Sequence, residues 1–220
     1  MVSSVLEVRD LTMSFGTRTI FSRVSLTVAT AEVVALLGPS GAGKTSLLRA
    51  IAGLVPADHG QILLEGIDIS SLATHRRRIG MVFQDDQLFP HRSVAENVEF
   101  GLRMLRWPRA ERVQRVRDML ELVGLGGFED RRVTDLSGGE AKRVALVRTL
   151  ATSPRVVLLD EPLTGLDRDL HDQLATELAA LLRSTATTAL LVTHDRDEAT
   201  TIAHRTLTLS AGGPCLDLSE

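Results

Sequence analysis

The chain has 220 residues, enough for one domain with a sizeable buried core or at most two small ones, and its 44% hydrophobic and 24% charged residues are the balance of a soluble globular protein. Aromatics are scarce at 3% and tyrosine is missing, so aliphatic side chains must build the core. The net charge of −3 argues against an overall basic nucleic-acid binder, the single cysteine, Cys215, excludes an intrachain disulfide and fits a reducing compartment, and no apolar run approaches the roughly 18 residues that span a bilayer.

Residues 1–7 lack the basic start and apolar stretch of a signal peptide, and none is expected. Strands are expected over 5–8, 24–28, 33–37, 61–64, 79–83, 156–159, 189–192 and 206–209. Those at 33–37, 156–159 and 189–192 are apolar throughout, the mark of parallel strands buried on both faces. Immediately after the first of these comes Gly38-Pro39-Ser40-Gly41-Ala42-Gly43-Lys44-Thr45, which matches G-x-x-x-x-G-K-[ST] and opens a helix expected over 44–52. Glycines let successive backbone N–H groups curl round a phosphate, the helix N-terminus favours the anion, Lys44 can reach β- and γ-phosphates, and Thr45 can ligate Mg²⁺.

His75-Arg76-Arg77-Arg78 reads as a solvated basic turn. From 93 to about 153 helical periodicity replaces strands. Capping-box spacings begin at Ser93 and Ser137, and over 109–123 Val113, Val116, Leu120 and Val123 share one helical face. Trp107-Pro108 marks a helix break. A helical segment is therefore expected between two blocks of α/β core. The six histidines show no metal-ligand spacing.

The apolar strand at 156–159 ends in Asp160-Glu161. After a phosphate loop this pair suits Mg²⁺ ligation by Asp160 and orientation or activation of the attacking water by Glu161. Between the two lies Leu136-Ser137-Gly138-Gly139-Glu140, which resembles the L-S-G-G-Q signature of ABC ATPases, a motif used by no other P-loop class. The chain order fits that family too: phosphate loop, Gln84, signature, Asp160-Glu161, His194. Glu140 departs from the usual glutamine but still suits a capping box. Leu163-Thr164-Gly165-Leu166-Asp167 resembles the D-loop, with Thr164 and Gly165 replacing its usual small pair.

The resemblance covers essentially the whole chain. It implies an α/β P-loop NTPase with a mainly parallel core sheet, an N-terminal antiparallel β portion and an inserted helical subdomain. The whole, 1–220, would be a single ATPase domain, with 1–88 and 154–220 as core and 89–153 as the helical subdomain. It implies that ATP is held by Phe15, Gly38, Pro39, Ser40, Gly41, Ala42, Gly43, Lys44, Thr45 and Ser46 of one chain and by Ser137, Gly138, Gly139 and Glu140 of the other, in a head-to-tail dimer with a second copy or a homologous ATPase. Glu161, His194, Lys44 and Gln84 would be catalytic, and Thr45, Gln84 and Asp160 would hold Mg²⁺. Two residues keep a plainer reading: Phe15 as an ordinary core phenylalanine, and His194 as a polar residue at a helix start with Asp195 as N-cap.

The implied function is an ABC transporter ATPase with integral membrane permease partners. The segment 84–98 looks like importer ATPases, which favours import over export or lipoprotein release and adds an extracytoplasmic solute-binding protein as partner. The implied location is the cytoplasmic face of the cell membrane. Non-transport members with long coiled coils are disfavoured, because 45–136 carries no sustained heptads, and a P-loop kinase or GTPase would not explain 136–140. The chain ends soon after its last expected strand, so the C-terminal regulatory domain of sugar-importer ATPases is not expected.

Overall fold

A computed structural model describes residues 4–210 and 215–217. The chain begins with a long antiparallel hairpin, β1 (Ser4–Phe15) and β2 (Arg18–Ala29). The sequence reading found only the ends of this hairpin. Register shifts after Val8, Leu11 and Met13 break the alternation that marks a strand. β4 (His59–Leu64) pairs with β1, and β5 (Ile67–Asp68) pairs with β4, giving the order β2-β1-β4-β5.

The second sheet contains β3 (Val33–Leu37), β6 (Ile79–Val82), β7 (Val156–Asp160), β8 (Ala189–Val192) and β9 (Arg205–Leu209), all parallel, with β10 (Cys215–Asp217) antiparallel at the edge. The order is β10-β9-β3-β8-β7-β6. Every residue of β3, β7 and β8 is buried, as their unbroken apolar runs require. Alternate residues face two separate cores. Val34, Leu36, Leu158 and Leu190 pack towards the antiparallel sheet and α1 (Lys44–Ala52). Val33, Ala35, Leu159 and Leu191 pack towards α2 (Val94–Met104), α3 (Arg109–Leu122), α4 (Gly138–Leu150), α5 (Arg168–Ser184) and α6 (Arg196–Ile202). Each fully buried leucine contributes roughly 1.5–3 kcal/mol of transfer free energy.

Between β6 and β7 the named α-helices are α2, α3 and α4. Ser93 and Ser137 start α2 and α4 with complete capping boxes. The break at Trp107-Pro108 separates α2 from α3, and Arg112 Nη1 donates to the Trp107 carbonyl at 2.6 Å. Among the described residues no helix is long and apolar enough to cross a membrane.

Three expectations are corrected. Val113 is exposed, because burial on α3 begins only at Val116 and continues through Met119 and Leu120. The strand expected over 79–83 ends at Val82. The basic turn is not wholly solvated: Arg77 is 5% exposed. Its Nε donates to Leu72 O at 2.8 Å, its Nη1 to Ala50 O and Ile51 O at 3.0 Å each, and its Nη2 to Ser70 O at 2.6 Å. Ala50 and Ile51 lie in the last turn of α1, so a delocalised cation sits at the negative end of that helix dipole. The fork fits because Gly53, at φ +77°, has no Cβ; one added there would lie 2.4 Å from Arg77 Nε.

Candidate nucleotide site

The carboxyl ends of β3, β7 and β8 lie side by side in the sheet, where an open α/β sheet places its ligands. From the end of β3, residues 38–43 turn into α1. Gly43 is the helix N-cap at φ +94°, and a Cβ there would meet Ile20 Cγ2 at 2.8 Å. α2 and α4 are capped by Ser93 and Ser137, α5 and α6 by Asp167 and Asp195. α1 has no side-chain cap and no acidic residue in its first turn. Its leading N–H groups are thus left for an external anion. Lys44 is buried, and its Nζ donates to Gly38 O at 2.7 Å and Pro39 O at 3.1 Å, which draws the ammonium into the loop.

At the end of β7, Asp160 is 3% exposed and its Oδ1 accepts from Thr45 Oγ1 at 2.9 Å. Burial pushes the Asp160 carboxyl above the usual carboxylate range, against the pull of that bond, and Lys44 and Arg49 compensate only weakly. A buried carboxylate beside a hydroxyl is a hard-oxygen pair suited to a small divalent cation, so these residues fit Mg²⁺.

Glu161 follows in the left-handed region at φ +46°, uncommon for a residue with a side chain. The conformation is held by its N–H to Val192 O at 2.9 Å and by Thr164 Oγ1 donating to Glu161 Oε2 at 3.2 Å. His194 Nδ1 lies 3.3 Å from the same Oε2. The histidine lies two residues beyond β8, and Asp195 caps α6 as expected, its Oδ1 accepting from Asp197 N and Glu198 N.

Gln84 is exposed, two residues beyond β6. Among the described residues no hydrogen bond joins it to Asp160 or Glu161. Asp86 and Gln87 just after it both have left-handed backbone, at φ +54° and +50°. Arg148 of α4 holds them, donating to Asp86 O and Gln87 O at 2.7 Å each, and Lys142 lies 3.5 Å from Asp86 Oδ1. Sequence reasoning missed this clamp, since nothing local marks two basic residues of α4 as partners of a loop some 60 positions earlier.

It also missed Asn97. This fully buried side chain accepts from Phe89 N at 2.8 Å and donates to Ser93 O at 2.9 Å and Phe89 O at 3.3 Å. Phe89 in turn packs against Phe100, the rings tilted by 55° with centroids 4.7 Å apart. With Arg148, Thr149 and Thr152 these rings line a surface groove of about 350 Å³. The available signal was an amide in the apolar stripe of α2.

Ser137 and Glu140 form the capping box expected of them: Glu140 Oε2 accepts from Ser137 N at 2.7 Å, and Ser137 Oγ from Glu140 N at 3.3 Å. The Ser137 N–H donated to it, with the Ser137 hydroxyl beside it, holds the Glu140 carboxyl below its ordinary pKa. Among the described residues no hydrogen bond joins 137–139 to 38–45. Phe15, at the tip of the hairpin, is 81% exposed, which rules out its reading as a core residue. The site residues therefore form one cluster, buried at Lys44 and Asp160, half-buried at Thr45 and Glu161 and open to solvent at His194, with Gln84, Phe15 and Ser137–Glu140 apart from it.

The ABC transporter family matches this chain over residues 21–164. The chain is 50% identical over 208 residues to the Fe(3+) ions import ATP-binding protein of Streptomyces avermitilis, covering 94% of this chain and 60% of that protein. The Escherichia coli protein of the same name is 44% identical over 207 residues, with 94% and 60% covered. The spermidine/putrescine import ATP-binding protein of Roseobacter denitrificans is 46% identical over 211 residues, with 96% and 58% covered. The chain thus spans about three fifths of the length of the curated relatives it matches. On the extent of these matches and on the site they cover, the chain belongs to the ABC transporter family, of which it carries the ATP-binding domain.

Proposed function

We propose that this chain binds and hydrolyses MgATP and powers import of a small solute through partner membrane subunits. The observation that carries the reading is the meeting of Thr45–Asp160 and Glu161–His194 beside the uncapped start of α1. ATP phosphates would lie on 38–46 with Lys44 on the β- and γ-groups. Thr45, Asp160 and Gln84 would hold Mg²⁺, whose charge would offset that of the phosphate oxygens. Water attacks the γ-phosphorus, the bond to the bridging oxygen of the leaving ADP breaks, and Glu161 takes the water's proton. His194 and Thr164 fix Oε2 of Glu161 in place. Phe15 would stack on adenine.

The remaining parts of the reading follow the family. Residues 1–220 act as one ATPase domain, with 89–153 as its helical subdomain. Ser137–Glu140 completes the site of a second copy or a homologous ATPase in a head-to-tail dimer. The groove at Phe89 and Phe100 receives a short helix of an integral membrane permease, which places the chain at the cytoplasmic face of the membrane. An extracytoplasmic solute-binding protein delivers the cargo, as suits relatives whose names specify import. Nucleic acid has no part in this. The test is ATP turnover by purified protein and by Lys44→Ala. Loss of turnover with retained fold is expected, and undiminished turnover would overturn the reading.

A further inference from the structure

Glu198 is a charged residue in the first turn of α6 that the proposed hydrolysis does not use, yet it is 4% exposed. Its Oε2 accepts from the hydroxyl of Thr193, itself 1% exposed, while its Oε1 is buried without a hydrogen-bond partner. An orphaned buried oxygen is destabilising, so the side chain is not there for stability alone. Burial raises its pKa above the ordinary range.

The geometry around it has a direction. Thr193 Oγ1 also accepts from Asp195 N at 3.0 Å, so one hydroxyl ties the residues on either side of His194. From α5, His171 reaches in with Nε2 3.7 Å from Glu198 Oε2, while its Nδ1 lies 3.3 Å from Asp172 Oδ1. α5 is the helix into which the Glu161 loop runs, capped by Asp167. Glu198 therefore stands where the turn bearing His194 meets the helix that leaves Glu161.

We infer that Glu198 is a positioning residue for hydrolysis: through the Thr193 hydroxyl it fixes the backbone at His194, and through His171 it ties that backbone to α5, setting the His194–Glu161 contact. This rests on the reading of Glu161 and His194 as catalytic. A misplacement of about 1 Å at a reacting group costs on the order of 10²-fold in rate. The effect belongs in kcat, because the nucleotide's ground-state contacts on 38–46 are untouched.

The experiment is steady-state ATPase kinetics of the full chain carrying Glu198→Ala, Glu198→Gln, Thr193→Val, the double variant Thr193→Val/Glu198→Ala and, as a control, His194→Ala. Glu198→Ala is expected to lower kcat roughly 10- to 100-fold with KM for ATP within about twofold. Glu198→Gln keeps an acceptor for the Thr193 hydroxyl and should recover most of the rate. Thr193→Val should match Glu198→Ala, and the double variant should be no slower than either single one. Should Glu198→Ala fail to fold, Glu198→Gln against Thr193→Val still decides the matter. A normal kcat in Thr193→Val, or independent losses that multiply in the double variant, overturns the inference. Full turnover in His194→Ala overturns the catalytic reading and the inference with it. A loss in His194→Ala with unaffected Glu198 and Thr193 variants overturns the inference alone.

Discussion

Replacing Arg77 with methionine tests whether its buried guanidinium is structural or incidental to a basic surface turn. Methionine fills most of the channel left by the aliphatic stem but cannot donate to the four carbonyls of Ala50, Ile51, Ser70 and Leu72. Ala50 O keeps one bond, from Gly53 N at 3.0 Å. Three acceptors are then left unpaired, at roughly 1–3 kcal/mol each. The guanidinium's own desolvation, which lowers its pKa, is relieved and offsets part of this. The net loss should be about 3–5 kcal/mol. For a domain of this size, 1 kcal/mol moves Tm by roughly 2–4 °C, so Tm should fall by about 6–20 °C. Circular dichroism melts with and without ATP, beside the exposed Arg76→Ala as control, read this directly. Arg76→Ala should stay within about 0.5 kcal/mol of the parent. A loss below about 1 kcal/mol for Arg77→Met would refute the argument that the fork closes the end of α1.

Glu161→Gln should bind ATP without turning it over and accumulate a dimer in sizing chromatography; adding Ser137→Arg should return it to monomer, and a nucleotide-independent dimer would point to another surface. Phe15→Ala should raise KM for ATP roughly tenfold, since stacking of a base on an aromatic ring contributes about 1–3 kcal/mol; an unchanged KM removes Phe15 from the site. Asn97→Ala leaves both backbone groups of Phe89 without their side-chain partner and should lower stability by about 1–3 kcal/mol, measured by urea unfolding. Substitutions across 88–91 should uncouple transport, assayed in reconstituted vesicles with the membrane subunits, while basal ATPase persists.

The parts of the fold that were legible are those where one residue pattern has one physical solution. The unbroken apolar runs at 33–37, 156–159 and 189–192 could only be doubly buried strands, and they are. Ser93 and Ser137 announced their helices through local hydrogen bonds. Asp195 was placed correctly as an N-cap for the same reason. The hairpin of β1 and β2 was mostly illegible, because its stability comes from partners across a shifting register rather than from alternation along one strand. Arg77, Arg148 and Asn97 were illegible for another reason. Each is a polar side chain whose partners are backbone atoms, and a backbone carbonyl leaves no mark in a sequence. Glu198 sits in the first turn of α6, where an acid is ordinarily read as a helix-dipole partner.

The division of the parallel sheet into two faces has a consequence for how this protein tolerates change. Val33 and Val34 are chain neighbours, yet one belongs to the layer of α2–α6 and the other to the layer of α1 and the antiparallel sheet. Truncating both should give losses that sum, as substitutions without shared partners do. Sequence drift can therefore proceed separately in the two layers. The half that carries the Phe89 groove can be repacked without disturbing the half that shapes the phosphate loop. The two halves must stay matched at the carboxyl ends of β3, β7 and β8, where Thr45, Asp160, Glu161 and His194 meet.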